Sequence, residues 1–363
     1  MVLRLLLTST VAAYWVSCAL PSIQRDGEES SPGADAALPG LPASQDPTAE
    51  GYDPEWDPAN RNETFETFQT LVPAQHRFAE WPMSDTFAEA KAKPRYTATD
   101  LIVTDEVTKL RWQRVIPDVY PGCQAHYIFV GRDRGAGSGC SWEEAKQYCS
   151  SPALAAALGG GEWRVPTKIE LESILDLSRV NTVSPLLDAF PIDKVWTSSP
   201  YPNPYGLKLA WAIDFMEGYT FDTGRFVGAR VRCVSSSKSE GGRLPDYEIG
   251  GDIVSDRNTG LTWQSRPDSQ TRTWSDARNY CQELELEGGG WRLPLLKELL
   301  SIVDSTRFMT ATFQKAFART VSDRYWTATE AINNRGRVYT VDFTFGGSFH
   351  EMPDVLHWTR CVR

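Results

Sequence analysis

The apolar positions of this chain fall into three regimes. A mainly apolar run from Val2 to Val16 carries one charge, Arg4, and gives way to small residues ahead of Cys18. Its length suits a secretory signal and falls short of a comfortable membrane span, so residues 1–18 are expected to direct export. From 19 to 77 the chain is rich in Pro, Gly, Ser, Asp and Glu and nearly free of large apolar residues before Tyr52. Such a stretch cannot bury enough surface to offset its ordering entropy, and reads as a disordered acidic tether. Beyond it, helical and strand periods take turns. Ser141-Trp142-Glu143-Glu144 has capping-box spacing, after which Trp142, Ala145 and Cys149 fall on one helical face. A second helix is expected after Pro166, with Thr167 and Glu170 at box spacing and Leu171, Ile174 and Leu175 facing inward. Alternation then takes over: Trp211, Ile213 and Phe215 up to Gly218, and Tyr339, Val341, Phe343 and Phe345 up to Gly346-Gly347.

The third regime is one pattern written twice. Trp142, Ala145, Tyr148 and Cys149 recur as Trp274, Ala277, Tyr280 and Cys281. Trp163-Arg164-Val165-Pro166 recurs as Trp291-Arg292-Leu293-Pro294, and Glu170-Leu171 as Glu298-Leu299. Trp196-Thr197 returns as Trp326-Thr327, Asp214-Phe215 as Asp342-Phe343, and Arg232-Cys233-Val234 as Arg360-Cys361-Val362. Upstream, Leu110-Arg111-Trp112-Gln113 matches Leu261-Thr262-Trp263-Gln264, with a wider gap before the first helix in the first copy. Residues 117–140 are therefore an insertion, carrying Cys123, Cys140 and a Gly-rich turn. Each copy reads as a strand, two helices and several strands. That order implies an α+β fold with segregated helices and a mixed, mostly antiparallel sheet, not a doubly wound one.

Composition narrows the partners. At 363 residues two domains are expected. A net charge of -10 without any basic block argues against nucleic acid. Setting Cys18 aside leaves six of the seven cysteines, an even number suited to disulfides in an exported protein. No Cys-x-x-Cys pair occurs and the four histidines are scattered, so no metal site is expected. Trp15-Val16-Ser17-Cys18 resembles a bacterial lipoprotein box, with Cys18 the lipidation site and the only expected link to a membrane. The expected location is the bacterial cell envelope, periplasmic or on the outer membrane.

The motifs Leu-x-Trp-Gln, Trp-x-x-Ala-x-x-Tyr-Cys, Trp-Arg-x-Pro, Trp-Thr and Arg-Cys-Val, in order and twice over, resemble the Lcl C-terminal domain family across residues 98–234 and 248–363. Phe78-Ala79-Glu80-Trp81-Pro82-Met83 is similar to the segment that precedes this domain in relatives, which bounds the copies at 78–236 and 245–363. The resemblance implies two tandem C-type-lectin-like modules, akin to formylglycine-generating enzymes, with adhesion or glycan binding as their role. In such a fold Cys149 with Cys233, and Cys281 with Cys361, would each tie the first helix to the last strand. Each link is worth on the order of 4 kcal/mol in the chain-entropy model. Cys123 and Cys140 would staple the insertion. Six cysteines allow other pairings, which stay open.

Trp163, Trp291, Arg164 and Arg292 could stack on sugars or grip an acid. Their place immediately before a helix in both copies argues instead for a structural corner, with Pro fixing the first turn and Arg pairing with a carboxylate such as Asp214 or Asp342. Calcium-dependent lectins use a Glu-Pro-Asn-like triplet and a Trp-Asn-Asp stretch. Here Pro202-Asn203-Pro204 lacks the acidic neighbour and Trp196-Thr197-Ser198 replaces the second motif, so no cofactor is expected. Oxidase chemistry needs free reactive cysteines, and none of the six is expected to be free. No catalytic residue is expected and the chain reads as a non-enzyme. Recognition is expected in loops near the late strands, through Tyr201, Tyr205 and Tyr219 in the first copy and Asn334, Arg335, Arg337, Phe349 and His350 in the second. The ligand would be a glycan or a surface protein. The other reading is a structural or assembly component of the envelope acting through protein contacts.

Overall fold

The computed structural model describes residues 96–363, apart from 107, 130–131, 178–193, 204, 237–245, 318 and 333. The signal segment, Cys18, the tether and the Phe78–Met83 lead-in lie outside the described residues, as does Asn333. Those described fall within one compact unit.

Local chemistry sets the helices. Ser141 caps α1 (Trp142–Cys149), accepting from Glu144 N while Glu144 Oε2 accepts from Ser141 N at 2.8 Å. Thr167 and Glu170 do the same for α3 (Lys168–Ser173). In the second copy Thr273 caps α4 (Trp274–Gln282), and Glu298 closes the start of α5 (Leu296–Ser301) by accepting from Leu295 N. The first copy departs from the expected two helices. A third, α2 (Pro152–Ala157), starts at Ser151, which caps it, with Pro at its first turn and an alanine-rich body. The second copy places only a 3-10 turn, Leu286–Gly288, between its two helices.

Among the described residues the named strands pair antiparallel, with isolated parallel bridges at Val195–Arg230 and Tyr325–Trp358. In the first copy β1 (Tyr96–Ala98), β2 (Ile102–Asp105), β3 (Leu110–Gln113) and β9 (Val234–Ser236) form one sheet in that order. A second joins β6 (Lys194–Pro200), β7 (Leu209–Asp214) and β8 (Tyr219–Gly224). The insertion forms the hairpin β4 (His126–Phe129) and β5 (Arg132–Ala136). The second copy repeats the plan with β10 (Tyr247–Gly250), β11 (Ile253–Asp256) and β12 (Thr262–Gln264), then β13 (Arg324–Glu330), β14 (Val338–Asp342) and β15 (Gly347–Glu351). Strands β7 and β14 stop earlier than the alternation implies. Asp214 Oδ1 accepts from Met216 N at 2.8 Å and Asp342 Oδ1 from Thr344 N at 2.7 Å, closing each turn and leaving Phe215, Phe343 and Phe345 within it.

Among the described residues three disulfides are present: Cys149–Cys233, Cys281–Cys361 and Cys123–Cys140, with Cα separations of 5.4, 5.4 and 5.0 Å. The insertion is pinned further by Tyr120, whose buried hydroxyl donates to Val231 O at 3.0 Å and accepts from Val231 N at 2.9 Å.

The largest buried cluster draws on both copies: Trp112, Leu171, Ile174, Val195, Ile213 and Phe215 share it with Trp263, Leu299, Phe317, Tyr325 and Phe343. Smaller cores surround Cys149–Cys233 in the first copy and Cys281–Cys361 in the second. A shared core predicts that the copies unfold together. In guanidinium titration, tryptophan fluorescence and circular dichroism should trace one coincident transition; two resolved transitions would contradict the shared core. Replacing Cys149 and Cys233 by Ala should cost about 4–5 kcal/mol, against about 3 kcal/mol for Cys123 and Cys140, because the closed loops differ in length.

Candidate functional site

The recurring motifs are consumed by the fold. Arg164 grips Glu170 with two hydrogen bonds of 2.7 and 2.6 Å, and Arg292 grips Glu298 at 2.6 and 2.7 Å. The expected partners Asp214 and Asp342 are incorrect: their carboxylates serve the turns just described, while the glutamate lies six residues beyond the arginine. Trp142 Nε1 donates to Thr197 O and Trp274 Nε1 to Thr327 O. Trp196 Nε1 donates to Cys140 O and Trp326 Nε1 to Arg272 O. Gln113 and Gln264 each donate to the tyrosine of the first helix, Tyr148 or Tyr280, and accept from Cys233 N or Cys361 N. Arg232 and Arg360 are fully buried, and desolvation lowers their pKa to about 9 and about 10. These side chains hold elements together in both copies.

Besides the insertion and α2, the copies differ along the seam between them. The contacts are isologous, pairing elements with their own counterparts as in a two-fold dimer: α3 meets α5 and β8 meets β15. At the centre Thr220 N donates to Ser348 Oγ at 2.9 Å, and these two residues occupy equivalent positions. Beneath them lies a buried ion pair, Lys168 Nζ to Glu172 Oε1 at 2.7 Å, with Thr220 Oγ1 donating to the same carboxylate at 2.8 Å. Lys297, also buried, crosses to Ser173 O and Leu175 O at the end of α3, where carbonyls attract a cation.

Two ends of the seam present equivalent positions with different chemistry. Register sets Trp211 opposite Asp222 and Tyr339 opposite His350, and the third turn residue of the other copy, Phe345 or Glu217, completes each set. At the aromatic end Tyr201 packs on Trp211 and Phe345, with ring centroids at 4.8 and 5.7 Å, and Phe308 follows at 5.4 Å. At the polar end His350 Nε2 lies 2.8 Å from Glu217 Oε2, across the seam, and 3.1 Å from Asn334 Nδ2. An ionised carboxylate only accepts and an amide N–H only donates, so the two contacts call for opposite states of Nε2 and are not both hydrogen bonds in one tautomer. The other ring nitrogen, Nδ1, is buried with no hydrogen-bond partner. Tyr339 Oη donates to Glu217 O, Arg337 Nη1 donates to His350 O at 3.4 Å, and the Tyr219 ring stands edge-on to His350 at 5.9 Å. Burial, with Asp214 and Glu217 nearby, pushes the Tyr219 phenol up to about 12.

Of the residues expected to bind, Tyr219, Asn334, Arg337 and His350 thus come together. Tyr201 is at the aromatic end, Tyr205 and Arg335 are exposed elsewhere on their loops, and Phe349 lies under Arg324, 4.4 Å from its ring. Tyr219, Phe349 and His350 stand on strands β8 and β15, not in the loops expected for them. Glu217 was not among the residues expected to bind, and Tyr339 was read only as a strand position. The signal for Glu217 was its departure from the repeat, since Phe345 holds the matching position. Among the described residues no three His, Cys, Asp or Glu side chains are grouped to hold a metal ion, and no helix is long and apolar enough to cross a membrane.

Fold and seam together define a disulfide-braced α+β protein in which one module, present twice, has closed on itself. The model of the Lcl C-terminal domain matches residues 101–235 and again 252–363, and the chain belongs to that family, in two tandem copies. A comparison with curated proteins found no match.

The seam can be tested at Gly347. A Cβ there would stand 3.1 Å from Thr220 O and 3.4 Å from the Trp211 and Phe349 rings. Gly347→Ala should therefore cost about 1–3 kcal/mol through overpacking, read as a lower guanidinium midpoint with the slope unchanged; a neutral effect would mean the two strands can separate freely.

Proposed function

We propose that this chain is a non-catalytic binding protein of the bacterial envelope, exported, carried on the 19–77 tether from a lipid at Cys18, and recognising a glycan or surface protein at the polar end of the seam. One observation carries the reading. Glu217, Tyr219, Asn334, Arg337 and His350 are brought together from both copies at positions where the repeat is broken, while the recurring side chains are committed to the scaffold. The set mixes acceptor, donor and aromatic ring, a composition suited to orienting a polar ligand. His350 and Glu217 are partly accessible, at 17% and 31% of their side chains. A C-type-lectin-like character and export are consistent with the three disulfides and the small antiparallel sheets.

The envelope-assembly reading has an observation of its own. Tyr205, Leu207 and Phe226 are strongly exposed, and Arg225 N donating to Lys208 O at 2.9 Å brings their two segments together beyond the end of β7 and β8. An exposed apolar group of this kind marks a contact surface.

An array carrying glycans and purified cell-surface proteins, probed with the full chain, separates the two. Glu217→Gln and His350→Ala should each weaken the captured ligand at least tenfold, with Tyr205→Ala and Phe226→Ala near wild type. The reverse pattern would move the function to the apolar surface.

A further inference from the structure

Among the described residues the two most exposed large apolar side chains are Phe226, at 84%, and Tyr205, at 77%, and both stand at one end of the β6–β7–β8 sheet, with Leu207 and Val227 exposed beside them. The local hydrogen bonds hold them outward. In the loop between β6 and β7, Asn203 Oδ1 accepts from Tyr205 N at 3.2 Å and Leu207 N at 2.9 Å, and Asn203 Nδ2 donates to Leu207 O at 2.7 Å. After β8, Val227 N donates to Gly224 O at 2.9 Å, and the Phe226 ring lies so close over Gly224 that a Cβ there would stand 2.7 Å from it. Arg225 joins the two segments, its N donating to Lys208 O and its Nε to Leu209 O, each at 2.9 Å. The charges around this apex are mainly positive. Lys208 is exposed, while Arg225 Cζ and Lys146 Nζ lie over the Trp142 ring, 4.1 and 3.1 Å from its centre. Among the described residues no carboxylate pairs with Lys208 or Arg225, and Lys146 has Glu143 at 3.6 Å. Asp222, the remaining acid of these segments, is set back along β8 opposite Trp211. On a chain of net charge -10 this is a local reversal of sign.

We propose that this apex enters the interfacial layer of an anionic lipid bilayer, with Phe226, Tyr205, Leu207 and Val227 among the headgroups and Lys208, Arg225 and Lys146 facing the lipid charge. It does not rest on ligand binding at the polar end of the seam. Apolar and aromatic groups that project from a fold, one of them a tyrosine with its hydroxyl free to stay in water, suit the boundary between headgroup and acyl chain. Lys and Arg around them are drawn to the negative potential of such a surface. A protein partner fits this chemistry less well. Stable protein interfaces take about 20–30 residues from each side and are depleted of lysine, whereas here two turns offer four apolar side chains inside a cationic rim.

The test is fluorescence of the full chain titrated with vesicles of brominated phosphatidylcholine, with or without brominated phosphatidylglycerol. Phe226→Trp puts a reporter at the apex, and the emission it adds over wild type separates the apex from any other membrane contact of the chain. On the anionic vesicles that added emission should move to the blue and be quenched, at a half-point roughly tenfold lower in lipid than on the neutral ones, and rising with salt. In the same background Lys208→Gln should raise the half-point about fivefold and Tyr205→Ala about tenfold. Ile249→Ala, at an exposed apolar position of the second copy, should leave it within about twofold, since it does not touch the apex. Added emission that stays unquenched on anionic vesicles overturns the proposal, as does equal quenching on neutral ones or indifference to both Lys208→Gln and Tyr205→Ala. If the emission stays unquenched while a protein ligand is lost in Phe226→Ala, the apex is a protein contact and the lipid proposal falls.

Discussion

Everything distinctive about this molecule follows from the burial of one surface of each copy against its own counterpart. Each module carries a three-stranded sheet and a short helix whose apolar side is completed only by the other module, so that Ile213, Phe215, Val341 and Phe343 end in one core. Polar groups taken into that seam must be paired, because a buried unpaired charge costs several kcal/mol. Lys168 and Glu172 satisfy each other and Thr220, and Lys297 finds the carbonyls that end α3. The duplication is asymmetric here. Ile169 stands where the second copy has Lys297, and Leu296 and Leu300 stand where the first has Lys168 and Glu172. The two faces were free to differ because they belong to one chain.

The repeat itself concerns stability more than recognition. Equivalent hydrogen bonds recur within about a tenth of an ångström: 2.8 and 2.9 Å for the first-helix tryptophans, 3.0 and 2.9 Å for the glutamine–tyrosine pairs, and 3.3 Å twice for the backbone of the bridged cysteine. A side chain fixed by such a bond on one side and by packing on the other has little left to offer a ligand. The tryptophan count that suggests a sugar-binding surface is largely absorbed by burial: Trp112, Trp196, Trp211, Trp263 and Trp326 all lie within the core.

What could be read from the sequence was what short-range chemistry decides. The caps at Ser141 and Thr167 lie three residues from their partners, and the cysteine pairing is the one that the family resemblance implies. Where the reading failed, the competing interaction was also local but overlooked. The arginines of the Trp-Arg-x-Pro motif take the capping glutamate six residues ahead, so Glu170 and Glu298 each serve a helix start and an ion pair. Asp214 and Asp342 are tied to the backbone of their own turns. The seam was hidden for a different reason. It joins residues about 128 positions apart, and no periodicity within either copy announces which face will meet its twin; the one trace is negative, a glycine at 347 where the first copy has Tyr219.

A two-fold dimer of separate chains must present the same site twice, since any substitution appears at both ends of the axis. Fusion of the copies removes that restriction. One end can then be filled with aromatic rings, adding buried area to the seam, while the other keeps ionisable and amide groups that contribute little to packing. The asymmetry shows in packing: Phe345 packs on two rings, whereas Glu217 in the matching position brings a carboxylate to a half-buried site beside His350. The polar end therefore contributes less apolar packing to the fold than the aromatic end does.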